Sequence, residues 1–135
     1  MRSWRARNHP AINAAFVTRG ARGISNQDVE GVVRNADAIR RKFERPGPLG
    51  RFISDARLLL AIVRDYGTGE YRAIPWWAVA AIAFALLYVL SPVDLIPDAL
   101  PVIGVVDDAA VVSVCLALVE QQLQEYKRWK LNNPG

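Results

Sequence analysis

Val29, Val32, Val33, Ala36, Ile39 and Phe43 recur at intervals of three and four residues, which sets them on one stripe of a helix. Ser25 stands before that run as an N-cap, and Asp28 three residues later completes a capping box, since each side-chain oxygen takes a backbone N–H left orphaned at the helix start. Pro46, Gly47 and Pro48 stop the pattern, so an amphipathic helix is expected over about 25–45. A second is expected over about 49–66, with Leu49, Phe52, Ile53, Ala56, Leu59, Leu60 and Val63 on its dry side and Gly67 and Gly69 behind it.

The alternation then disappears. From Ala73 to Val93 the chain runs 21 residues without a charge, opened by Pro75, Trp76 and Trp77 and carrying Tyr88 near its far end. About 20 apolar residues cross a hydrocarbon core and aromatic residues favour its interfaces, so a transmembrane helix is expected over about 74–90. The alternative is a helix buried in a soluble bundle. A second apolar stretch, Ala99 to Val106, is interrupted by Asp107 and Asp108, resumes from Ala109 to Val119 and ends in the polar EQQLQEYKRWK. A helix is expected there over about 107–129, with an apolar part too short to span a bilayer alone. Ala78, Ala81 and Ala85 offer it a small-residue face for close approach. The expected fold class is all-α: two amphipathic helices, then a membrane helical hairpin joined by a Pro/Asp-rich re-entry.

Composition changes this picture in two ways. The 135 residues fit one domain, read as a loose basic leader over 1–24, a single helical domain over 25–131 and a tail over 132–135. The net charge of +4 is segregated: 14 Lys/Arg face 7 Asp/Glu in residues 1–73, and residues 74–119 hold four Asp and no cation. With no Lys/Arg between Arg72 and Lys127, both termini are expected on the cytoplasmic side and the 91–108 connection on the far side. The arginines of residues 25–72 alternate with acids and no zinc-finger or RNA-binding motif appears, so nucleic acid is not an expected partner. The amphipathic helices either pack their stripes internally or lie along an anionic leaflet. Arg40, Arg41, Lys42, Trp76 and Trp77 are the candidate contacts to membrane lipid, to a protein partner or to a second copy of the chain.

Candidate chemistry concentrates in SPVDLIPDALPVIGVVDD, residues 91–108. Ser91, Pro92 and Asp94 have the order of a capped helix start, Pro97 and Pro101 forbid a regular helix, and Gly104 frees the backbone before Asp107 and Asp108. Asp94, Asp98, Asp107 and Asp108 supply hard oxygens that would suit Mg²⁺ or Ca²⁺ if the segment folds back on itself. Helix capping is the competing use, and it accounts for each aspartate except Asp98. His9 is the one histidine and Cys115 the one cysteine. No Ser/His/Asp or Cys/His set, phosphate loop or zinc spacing forms around them, so an enzyme is not expected.

The same residues resemble the YkvA-like family, a domain of unknown function found in small bacterial membrane proteins and in some eukaryotic membrane-bound ubiquitin ligases. The resemblance rests on Tyr88, Ser91, Pro92, Asp94, Leu95, Ile96, Pro97, Asp98, Pro101, Gly104, Asp107 and Asp108, and extends more weakly upstream through RDYGTGEYRAIPWW. It implies a helical protein of the bacterial inner membrane and no established activity.

Overall fold

The uncharged run becomes the centre of the fold. The computed structural model describes residues 12–91 and 107–133, and within them the chain forms seven α-helices, one 3₁₀ turn and no strand. The helices are α1 (Ala14–Arg22), α2 (Asn26–Arg34), α3 (Ala36–Glu44), α4 (Ile53–Thr68), α5 (Trp76–Leu90), α6 (Asp108–Leu118) and α7 (Glu120–Asn132), with the 3₁₀ turn over Pro48–Phe52. The all-α expectation is met, and several of its details change.

Residues 12–24 are not a loose leader. Asn13 caps α1 by accepting from the Phe16 N–H at 3.0 Å, and Val17 and Ala21 bury one side of the helix against α5. The two helices come close at Gly20, where an added Cβ would collide with the edge of the Phe84 ring. Phe16, Phe84 and Tyr88 pack around this point with ring centroids 5.9–6.0 Å apart.

The capping box forms as expected: the Asp28 carboxylate accepts from the Ser25 N–H at 2.8 Å and the Ser25 hydroxyl accepts from the Asp28 N–H at 3.4 Å. The single helix expected over 25–45 is instead two, α2 and α3, bent at Asn35 (φ −105°, ψ 18°). The Asn35 amide donates to the Gly31 carbonyl at 2.8 Å, a local bond that competes with regular helix geometry. Asn35 still accepts from Ile39 at 2.9 Å, so the ladder bends without stopping. The helix expected over 49–66 opens as the 3₁₀ turn, becomes α4 only at Ile53 and runs on through Gly67 to Thr68, where Gly69 caps it in the left-handed conformation at φ 86°. The last helix, expected over 107–129, is present with a similar bend at Val119 and continues to Asn132.

The membrane hairpin is the largest correction. No helix among the described residues is long and apolar enough to cross a membrane. The 15 residues of α5 rise about 22 Å, short of the ~30 Å hydrocarbon core. A helix that is apolar all round needs cover on every side, from lipid or from protein. Here α1, α2, α3, α4 and α6 pack around it, and eleven of its fifteen residues are buried. The far-side placement of residues 91–108 therefore has no described span behind it. One member of the small-residue face meets α6: the Cys115 thiol reaches the Ala81 carbonyl at 3.6 Å, and burial pushes the thiol pKa up to about 12.

Candidate functional site

Two regions outside the common core carry unusual side chains, and a third pins the C-terminal helix. The first is the junction where α5 ends and α6 begins. Asp107 caps α6, its carboxylate accepting from the Ala110 N–H at 3.0 Å, which is the capping role expected of it. Asp108 sits in the first turn with Oδ1 buried and, among the described residues, without a hydrogen-bond partner. Burial raises the Asp108 pKa, the neighbouring Asp107 charge adds to this, and Lys42 of α3 opposes both. Tyr88 is buried in the same junction; desolvation and the Asp108 charge raise its pKa, against a hydrogen bond with the Asp107 backbone. The structure thus brings Lys42, Tyr88, Asp107 and Asp108 together. Ser91 closes α5, its N–H donating to Leu87 at 2.8 Å. Pro92, Asp94, Pro97, Asp98, Pro101 and Gly104 lie outside the described residues. Among the described residues no group of three His, Cys, Asp or Glu side chains is placed to hold a metal ion.

The second region is the N-terminal edge of α5. Pro75 is extended (φ −68°, ψ 150°) and delivers Trp76 and Trp77 into the first turn. They stay 39% and 50% exposed although the helix behind them is buried, an unusual exposure for such large apolar groups. Both line an apolar cavity of about 210 Å³, together with Thr18 and Arg22 of α1 and Leu118 of α6. Behind the rim, the Arg72 guanidinium lies over the Tyr66 ring at 4.7 Å and donates to the Tyr66 carbonyl at 2.7 Å. Tyr66 in turn packs on Trp76 with centroids 6.2 Å apart. The other expected contacts do not share a patch, since consecutive helical residues point about 100° apart. Arg40 is held by Asp37 at 2.9 Å and Glu44 at 3.5 Å, Lys42 is half-buried and its charge acts on Asp108, and Arg41 is the exposed one of the three.

The third feature was not legible as a site in the sequence. Asp65 on α4 is 5% exposed and accepts from the Tyr126 hydroxyl of α7 at 2.6 Å, with Arg64 at 3.3 Å and Lys130 at 3.5 Å. Burial works to raise its pKa, but the Tyr126 hydrogen bond and the Arg64 and Lys130 charges outweigh it and hold the carboxyl below its ordinary value. Tyr71, Tyr126 and Trp129 stack beside this contact with centroids 4.9–5.8 Å apart. The available signal was the pair Tyr126 and Trp129, three residues apart on a helix otherwise rich in charge.

Residues 78–114, which run from the first turn of α5 through the motif into α6, match the family model described as protein of unknown function (DUF1232). Over 70 residues the chain is 33% identical to the uncharacterized membrane protein YkvA of Bacillus subtilis. That stretch covers 52% of this chain and 66% of the relative, just under two thirds of its length. No solved structure matches. Through residues 78–114 the chain is therefore similar to the DUF1232 family of proteins of unknown function, and it shows distant homology to YkvA.

Proposed function

We propose that this chain is a non-enzymatic interaction module that attaches peripherally to the cytoplasmic face of a bacterial inner membrane through its Trp76–Trp77 edge. The observation that carries the reading is the exposure of two adjacent tryptophans on the rim of an apolar cavity, with Arg22 beside them. Indole rings are favoured at the level of lipid headgroups, and a nearby cation adds about 1 kcal/mol on an anionic leaflet. The relative's description as a membrane protein agrees with this placement. Attachment by an edge leaves α5 in the protein core and needs no span.

Co-sedimentation with phosphatidylglycerol vesicles is the test. The full chain should bind them, bind phosphatidylcholine vesicles about tenfold less, and lose most binding in Trp76→Ala/Trp77→Ala. Acyl chains brominated near the headgroup should quench the tryptophan fluorescence of the wild type more than that of Trp76→Phe/Trp77→Phe. Undiminished binding by the alanine pair, or a protein that leaves native membranes only with detergent, would refute peripheral attachment by this edge.

A second reading rests on the buried Asp108 Oδ1, which has no hydrogen-bond partner among the described residues and lies next to Asp107. In that reading Asp107 and Asp108, with Asp94 and Asp98, hold Mg²⁺ or Ca²⁺. Calorimetry should then show saturable binding that disappears in both Asp107→Asn and Asp108→Asn; no heat at millimolar cation would dismiss it.

A further inference from the structure

Between the α2–α3 pair and α4 lies a surface trough made of two adjoining cavities, of about 310 and 340 Å³, which share Val33 and Arg64. Its floor is apolar: Val33, Ala36, Leu60 and Ala61. Val33 is 40% exposed, one of the few large apolar side chains the fold leaves uncovered. Along α4 the lining residues Arg57, Leu60, Ala61, Arg64 and Thr68 fall three and four apart, a single stripe. From Arg57 to Thr68 that stripe is about 16 Å long, three turns of helix.

The rim of the trough is positive, with Arg34, Arg40, Arg57 and Arg64 against Glu30 and Asp37. Arg40 is well paired, and Arg34 meets Glu30 only at 4.0 Å. Arg57 has no ion pair among the described residues, and Arg64 bonds Asp65 through Nε alone. Uncommitted guanidinium donors therefore flank an uncovered apolar floor.

We propose that this trough docks an acidic amphipathic helix of a partner protein, which lays apolar anchors over Val33, Leu60 and Ala61 and sets carboxylates against Arg57 and Arg64. In helix-in-groove recognition an amphipathic helix lays its apolar face, with anchors at three- and four-residue spacing, into a groove of this kind. The sunken floor suits a rod better than a flat leaflet. No residue that lines the trough also lines the cavity at the Trp76–Trp77 edge, so the proposal stands independently of the membrane reading.

The experiment is fluorescence anisotropy of the full chain with labelled 16-residue helical peptides, leucine at heptad spacing flanked by glutamate, against the same helix with lysine for glutamate. The acidic peptide should bind at micromolar Kd and roughly tenfold tighter than the basic one. Val33→Asp should weaken it about tenfold, and Arg57→Glu should weaken it and restore part of the basic peptide's binding. Gly67→Leu, which puts bulk at the trough's end where a Cβ lies 4.0 Å from Val33 Cγ2, should also weaken it. Trp76→Ala/Trp77→Ala should leave it unchanged. Equal affinity for both peptides, or indifference to Val33→Asp, would overturn the proposal. So would self-association of the chain or vesicle binding abolished by Val33→Asp, since a second copy or a membrane would then be the occupant.

Discussion

Removing the Tyr126 hydroxyl tests the contact that fastens the C-terminal helix. In Tyr126→Phe the ring stack with Tyr71 and Trp129 is retained, and only the 2.6 Å bond to the Asp65 carboxylate is lost. A hydrogen bond to a buried charge contributes about 1.5–3 kcal/mol. Arg64 and Lys130 still reach Asp65, but both are substantially exposed and their screened compensation is small. The expected loss is thus about 2 kcal/mol at pH 7. Because folding lowers the Asp65 pKa from its ordinary 3.8, its stabilisation is complete above that value and fades as pH falls through the lower folded value. Urea denaturation followed by circular dichroism, for the wild type, Tyr126→Phe, Asp65→Asn and the double variant, gives the coupling energy directly. A coupling of about 1.5 kcal/mol or more at pH 7, smaller at pH 3, is expected. Additivity within about 0.5 kcal/mol would show that the pair does not hold α7 in place.

Gly20→Ala should lower stability by about 1–3 kcal/mol because the added methyl collides with Phe84, and Phe84→Leu in the same chain should recover part of the loss in a thermal melt. Folding raises the Asp108 pKa, so the ionised group opposes folding above that raised value, and wild-type stability should rise as pH falls through it toward 3.8. Asp108→Asn should flatten this profile; an unchanged slope in denaturation titrations between pH 7 and 4 would contradict the assignment. Cys115, fully buried with its pKa pushed up to about 12, should not react with a thiol reagent in the native protein and should react once unfolded. Prompt labelling of the folded chain would show that α6 opens away from α5.

The parts of the fold legible in the sequence are those fixed by neighbouring residues. Ser25 and Asp28 announce a helix start, and Pro46, Gly47 and Gly69 mark ends, because capping and turn chemistry act within a few positions. Asn35 was hidden inside a good hydrophobic stripe, and its bend depends on one side-chain amide choosing the Gly31 carbonyl. Helix α1 is hard to read in the sequence because its stripe is short and arginines surround it, although Asn13, Val17 and Ala21 carry its signal. The 21-residue apolar run was ambiguous in principle, since composition does not distinguish acyl chains from five surrounding helices. What decides is how the elements match: helices with one dry face each need something to face, and among the described residues α5 is the element dry enough to serve them all. For the candidate sites, Asp107 as a cap and Trp76 and Trp77 as exposed aromatics follow from local pattern. Asp65 does not, because Tyr126 and Lys130, which join it to α7, lie 61 and 65 residues away.

The order of the helices along the chain has a bearing on biosynthesis. Four of the five helices that cover α5 precede it, so they leave the ribosome first. Translation at about 5–20 residues per second takes roughly one to four seconds to pass from the end of α4 to the end of α5. Helices form in about a microsecond, and helical bundles assemble within milliseconds. The apolar helix therefore emerges beside four helices that have had ample time to form and whose dry faces still need a partner. A circular permutant that synthesises α5 before α1–α4 would present the same hydrophobic run naked to the membrane-targeting machinery.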